Sequence, residues 1–264
     1  SGNLSLITSV IKLLNPNFGF DLEVKSEAPV RSGLGGSSAV TAAVLGCFNE
    51  FKSDKLNKIQ LAELSYQAER LIDGIAGGWQ DQYAAIFGGF NFQIYSPKRN
   101  TVLPLRIEKN TLFELEERLV LCFTNQTRSA SDVAQTKKGA KTKSKNNANL
   151  IEQGQIASRM MDAISREAWT EIAKILDHGW NAKVNSNPNA SNDKLDKIYN
   201  AAKKNGAIGG KLLGAGGGGF FIFFVKAEKR FLLIEHLLSS GLTPTNFKFE
   251  SEGMQSWKVR ESSK

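Results

Sequence analysis

Apolar positions change period along the chain. Phe18, Phe20, Leu22 and Val24 alternate with polar residues, which predicts a strand with those four side chains on one face. Beyond residues 29–39 the spacing lengthens. Val40, Ala43, Val44, Cys47, Phe48 and Phe51 recur near every 3.6 residues, which predicts a helix reaching about Lys52. A second helix is predicted behind Asn57 as N-cap, with Gln60 three residues on to complete a capping box. Its expected buried face is Leu61, Leu64, Ala68, Leu71 and Ile72, and Gly74, Gly77 and Gly78 end it.

Two runs with strand character, Phe87–Tyr95 and Thr101–Ile107, flank Ser96–Asn100 and read as a hairpin. Arg118–Thr124 is a further apolar strand. Helical patterns run from about Asn147 to Lys204, interrupted by a Pro- and Asn-rich loop at Asn185–Asn192. The end reads strand, glycine loop, strand (Phe220–Val225), helix (Glu228–Ser239), strand (Thr245–Glu250). That order is α+β and not a doubly wound sheet. A division near Phe113 gives expected domains of 1–112 and 113–264.

The 264 residues, 41% of them hydrophobic, are enough for one large or two modest cores. No apolar run reaches membrane-spanning length, and the first residues lack the charged and apolar regions of a signal peptide. Cys47 and Cys122 have apolar neighbours and form no CxxC, so both read as reduced core thiols, and a cytoplasmic location is expected. His178 and His236 make no metal pattern. The net charge of +8 is concentrated at Lys137, Lys138, Lys141, Lys143 and Lys145. Polar neighbours there favour a solvated loop over guidance of an anionic substrate. Without aromatic residues interleaved in a basic stripe, nucleic acid is not an expected partner.

Three clusters carry candidate chemistry. Residues 29–39, Pro-Val-Arg-Ser-Gly-Leu-Gly-Gly-Ser-Ser-Ala, place glycines and serines directly ahead of a helix. Backbone N–H groups and the helix dipole make such a turn a phosphate cradle, and a hydroxyl can reach a divalent cation. The spacing fits neither a Walker A loop nor a dinucleotide fingerprint, and a capped turn is the plainer alternative. Glu69 and Asp81 flank a second glycine turn, which can bring both carboxylates towards one phosphate. One carboxylate can hold Mg²⁺ while the other orients or deprotonates an attacking hydroxyl; taken singly, each also reads as an ordinary surface or turn residue. Gly214–Gly219 runs straight into Phe220–Phe224, a sign of close backbone approach to another loop or ligand, or of a hairpin corner.

In this order the three clusters resemble the GHMP kinases, the galactokinase, homoserine, mevalonate and phosphomevalonate kinase superfamily. Pro29–Ala39 is similar to its Pro-x-x-x-Gly-Leu-Gly-Ser-Ser-Ala loop, with Gly36 ahead of the serine pair, and Lys211–Gly219 to its late glycine motif. Gly77–Ala85, with Phe87–Phe92 after it, looks most like the heptose 7-phosphate kinase branch. Fucokinases share the Gly-Gly-Trp-Gln-Asp-Gln core. The resemblance implies a two-lobe fold, with a ribosomal-protein-like first lobe and a ferredoxin-like second lobe. It implies phosphorylation of a sugar or sugar phosphate by ATP, with Mg²⁺. Ser32, Gly33, Leu34, Gly35, Gly36, Ser37 and Ser38 would bind ATP, Ser38 and Glu69 the metal, and Asp81 would be catalytic. Thr127, Arg128, Gly216 and Gly217 would meet the substrate. The family's first motif, Pro-x-Arg-(Leu/Val/Ile)-x-(Leu/Ile), is not found ahead of Pro29, so the first lobe is expected to lack its first strands. A non-catalytic fragment that binds nucleotide or sugar phosphate is the rival reading.

Overall fold

The computed structural model describes residues 4–27, 29, 32–75, 77–127 and 143–259, without the side chains of 143–149. Lys137, Lys138 and Lys141 lie outside the described residues; Lys143 opens a helix.

The first lobe is built on α1 (Ser5–Leu14), α2 (Gly36–Asn49), α3 (Lys58–Tyr66) and α4 (Gln80–Phe87). Asn57 and Gln60 form the expected capping box at the start of α3. Val10, Val44, Leu45, Leu61, Ala68, Tyr83 and Ile86 interlock between these helices as one core. After Tyr66 the helix widens into a π-turn, Gln67–Ile72. That widening rotates Leu71 and Ile72 outward, 69% and 44% exposed, so the predicted apolar face ends at Ala68. The strand expected at Phe18–Val24 does not form. A strand needs a hydrogen-bonded neighbour, and no described segment pairs with it. Phe18 and Phe20 instead lie on Phe48, with ring centroids 6.2 and 4.8 Å away.

The hairpin forms as β1 (Asn91–Tyr95) and β2 (Asn100–Pro104), paired antiparallel. Residues 80–87 are helical, so the run from Phe87 yields a strand only after the Gly88-Gly89 turn. The chain then enters α5 (Lys109–Arg118), and the expected division at 112/113 falls inside this helix.

The second lobe is a four-stranded antiparallel sheet ordered β4 (Ala207–Leu212), β5 (Phe220–Val225), β3 (Leu119–Phe123), β6 (Thr243–Thr245). The helices are α6 (Lys143–Ser165), α7 (Trp169–Ser186), α8 (Asp193–Lys204) and α9 (Arg230–Ser239). Phe221, Phe223 and Val225 face Trp180, Leu195, Tyr199, Leu233 and Leu237. Phe224 faces Leu115, Ala163, Ile172 and Ile175 on the other side. Both sheet faces are covered, which explains why residues 220–225 form an unbroken apolar run.

Beyond β6 the chain returns to the first lobe. Gly89 N–H donates to Glu250 O (2.7 Å), Met254 N–H to Ile86 O (3.3 Å) and Ser256 Oγ to Glu50 Oε1 (2.9 Å). Met254 fills the space beside Gly46, and Lys258 lies over the Phe51 ring. Residues 250–258 therefore pack with the first lobe. Cys122 is buried as expected, but Cys47 is exposed, because it lies on the outer side of α2.

Candidate active site

Gly33 and Gly35 adopt φ of +78° and +72°, conformations that cost an L side chain free energy. They turn the chain into α2, whose first turn has no side-chain cap. The N–H groups of Gly36, Ser37 and Ser38 therefore have no intrahelical acceptors. Ser32 is buried, Leu34 and Ser37 are exposed, and Ser38 is fully buried beneath the turn.

The π-turn at Gln67–Ile72 carries Glu69, which reaches this loop, and Arg70 next to it. Such widened turns recur at functional sites. Ser37 Oγ donates to Glu69 Oε2 at 3.2 Å. Glu69 is fully buried. Burial pushes its carboxyl above the ordinary range, while Ser38, Arg70, Gln82 and Ser37 act in the opposite direction. Ser38 Oγ, Glu69 Oε1 and both amide atoms of Gln82 are buried without a hydrogen bond of ordinary geometry. Ser65 Oγ and Gln126 Oε1 are likewise unpaired; a bound water or ion is one way such buried atoms are satisfied. Asp81 lies in the first turn of α4, and its Cβ is 3.9 Å from where a Cβ on Gly35 would sit. Glu69 and Asp81 thus lie against the loop from two elements.

The late glycine loop closes the same region. A Cβ on Gly219 would lie 2.2 Å from Ser32 O, and one on Gly218 would lie 2.6 Å from Gln126 O. Thr127 is exposed beside Gly218; Arg128 lies outside the described residues. Gly216 and Gly217 are both buried. The Gly217 N–H donates to Ala190 O at 2.8 Å and is engaged within the fold. The expectation that these two glycines meet substrate therefore gains no free Gly217 donor.

Sequence reasoning missed three residues. Arg70 lies between the two carboxylates, Nη1 3.6 Å from Glu69 Oε2 and Nη2 4.0 Å from Asp81 Oδ2. Gln82 is buried beside Glu69. Lys183, on α7, donates to Leu212 O and to Gly214 O (2.6 Å), tying down the start of the glycine loop. The first two stand next to recognised positions; Lys183 has no local signal.

Two family models match this chain, the GHMP kinases N terminal domain over residues 5–89 and the GHMP kinases C terminal over residues 160–238. The chain is 40% identical over 264 residues to D-glycero-alpha-D-manno-heptose 7-phosphate kinase of Campylobacter jejuni, covering 98% of this chain and 78% of the relative. It is 31% identical over 238 residues to the bifunctional fucokinase/GDP-fucose pyrophosphorylase of Arabidopsis thaliana, 85% of this chain and 22% of that one. The crystal structure of a D-glycero-D-manno-heptose 1-phosphate kinase from Bacteroides thetaiotaomicron superposes with a TM-score of 0.74 at 29% identity, covering 99% of this chain and 76% of that one. The chain belongs to the GHMP kinases. Within that family its similarity runs to the sugar kinases. Among the described residues no helix is long and apolar enough to cross a membrane.

Proposed function

We propose that this chain transfers the γ-phosphoryl group of ATP to the anomeric hydroxyl of D-glycero-D-manno-heptose 7-phosphate. The observation that carries the reading is the convergence of the Ser32–Ser38 turn, Glu69 and Asp81 at one helix N-terminus, beneath the late glycine loop. The heptose assignment rests on the Campylobacter relative and its share of the chain.

Phosphoryl transfer depends on positioning and charge stabilisation. The free N–H groups of Gly36, Ser37 and Ser38 suit the triphosphate oxygens, with Ser32 to Gly35 shaping the turn. Ser38 Oγ and Glu69 Oε1 are hard oxygen donors, buried and without a hydrogen bond of ordinary geometry, and fit Mg²⁺. When bound, the ion offsets phosphate charge. Asp81, half-exposed, orients the acceptor hydroxyl and accepts its proton. Thr127 and Arg128 bind the sugar phosphate, the guanidinium suiting two phosphate oxygens. Gly216 and Gly217 lie in the late glycine loop, beside the substrate.

A fucokinase-like activity is the second reading, favoured by the shared Gly77–Gln82 core and the Arabidopsis relative. ATP consumption with heptose 7-phosphate, fucose, galactose and mannose separates the two. Turnover with the heptose phosphate alone supports the proposal; preference for fucose, or ATP binding without turnover on any sugar, contradicts it.

A further inference from the structure

We infer that Arg70 is a positioning residue for phosphoryl transfer, holding the Asp81 carboxylate in the orientation that meets the acceptor hydroxyl. The inference rests on the reading of Asp81 as the group that engages that hydroxyl.

Three observations carry it. The Arg70 side chain is 8% exposed, while the Asp81 side chain it faces is 46% exposed. A long cation is thus buried with its head facing a carboxylate that is itself half-exposed. Arg70 is the charged partner that the described residues give Asp81, at 4.0 Å. The guanidinium is itself fixed. Its Nη1 donates to Ile75 O at 3.3 Å and its Nε to Gly78 O at 3.4 Å, both on the turn that leads into α4. A planar fork held at several donors transmits orientation in a way a point charge does not. Finally, the turn leaves room for it. A Cβ on Gly77 would lie 2.8 Å from Arg70 Cζ, so a side chain there displaces the guanidinium.

Arg70 also faces Glu69, with Nη1 3.6 Å from Oε2; the role inferred for it is exerted through Asp81. Its loss should therefore lower kcat and leave nucleotide binding intact. A residue that merely held the turn would weaken the enzyme whether or not Asp81 were present.

A double-mutant cycle separates the two roles. Wild type, Arg70→Met, Arg70→Lys, Asp81→Asn and Arg70→Met/Asp81→Asn are compared for kcat with ATP and D-glycero-D-manno-heptose 7-phosphate. Binding of a non-hydrolysable ATP analogue is measured by calorimetry on each. Arg70→Met is expected to cut kcat by about 100-fold, the scale of a misplaced reactive group, with analogue affinity within about 3-fold. Arg70→Lys should recover part of the loss. In the Asp81→Asn background Arg70→Met should change kcat by less than about 3-fold. Full multiplication of the two losses, or unchanged kcat in Arg70→Met, overturns the positioning role while leaving Asp81 in place. Unchanged kcat in Asp81→Asn overturns the reading of Asp81 itself. Should Arg70→Met not fold, Gly77→Ala replaces it in the cycle: about a 10-fold loss that vanishes beside Asp81→Asn supports the role, and unchanged kcat in Gly77→Ala overturns it.

Discussion

Gly214 meets Gly33 backbone to backbone: a Cβ on Gly214 would lie 2.8 Å from the Gly33 Cα and 2.9 Å from its carbonyl oxygen. Gly214 also has φ +64°, so a side chain there is strained as well as crowded. The contact joins the late glycine loop to the Ser32–Ser38 turn, one from each lobe. Gly214→Ala is therefore expected to part the two loops. Steady-state kinetics should show the KM for ATP raised by about 10-fold or more, the scale of a lost 1.4 kcal/mol. Unchanged ATP kinetics would mean that the contact does not shape the nucleotide site.

Glu69 offers a test with opposite signs for stability and activity. Burial raises its carboxyl above the ordinary value of 4.5. A raised folded-state value means that ionisation opposes folding. The penalty is absent below the ordinary value, grows as pH rises towards the folded-state value, and is constant above it. Glu69→Gln removes that charge. Melting of the metal-free protein at pH 8 should give a Tm for Glu69→Gln equal to or above wild type, with the difference closing towards pH 4. Activity should fall, with more Mg²⁺ needed for half-maximal rate. A clearly lower Tm at pH 8 would assign Glu69 a stabilising role and contradict the account.

The thiols report the packing of the two lobes. Cys122 lies in an interior strand, β3, and burial pushes its thiol up to about 12, so little thiolate exists at neutral pH. Cys47 is exposed on α2. A thiol reagent at pH 8 should modify Cys47 promptly and Cys122 only after denaturation. Rapid modification of both would place Cys122 outside the sheet core.

Much of this architecture was legible because the signals were local. The Asn57–Gln60 box was read correctly since cap and acceptor sit within one turn. The late glycine loop was legible since so many glycines directly before an apolar strand point to close backbone approach. Phe18–Val24 misled because alternation states a preference for a face and says nothing about a partner edge. The helix Gln80–Phe87 escaped notice between two glycine turns, and Lys109–Arg118 because half its residues are charged. Arg70, Gln82 and Lys183 owe their places to contacts across the fold. The return of residues 250–258 to the first lobe is likewise a matter of tertiary fit.

That return has its own consequence. Gly88 has φ +62°, and a Cβ on it would lie 2.1 Å from Gly253 N. Gly88→Ala should force the terminal segment off α4 and destabilise the protein by about 2 kcal/mol or more, through strain and lost packing together. Chemical denaturation reads this directly. A loss below about 0.5 kcal/mol, the scale of an ordinary surface change, would show that residues 250–258 contribute little.

The central claim is phosphoryl transfer from ATP to the anomeric oxygen of a heptose 7-phosphate, with Asp81 engaging that hydroxyl. Phosphorus NMR of the purified chain with ATP, Mg²⁺ and D-glycero-D-manno-heptose 7-phosphate tests it most directly. The account expects ADP and a second sugar-phosphate signal coupled to the anomeric proton to grow together. Asp81→Asn should slow both by about 100-fold or more. ATP left intact, phosphate appearing at another position, or an Asp81→Asn variant as fast as wild type would contradict it.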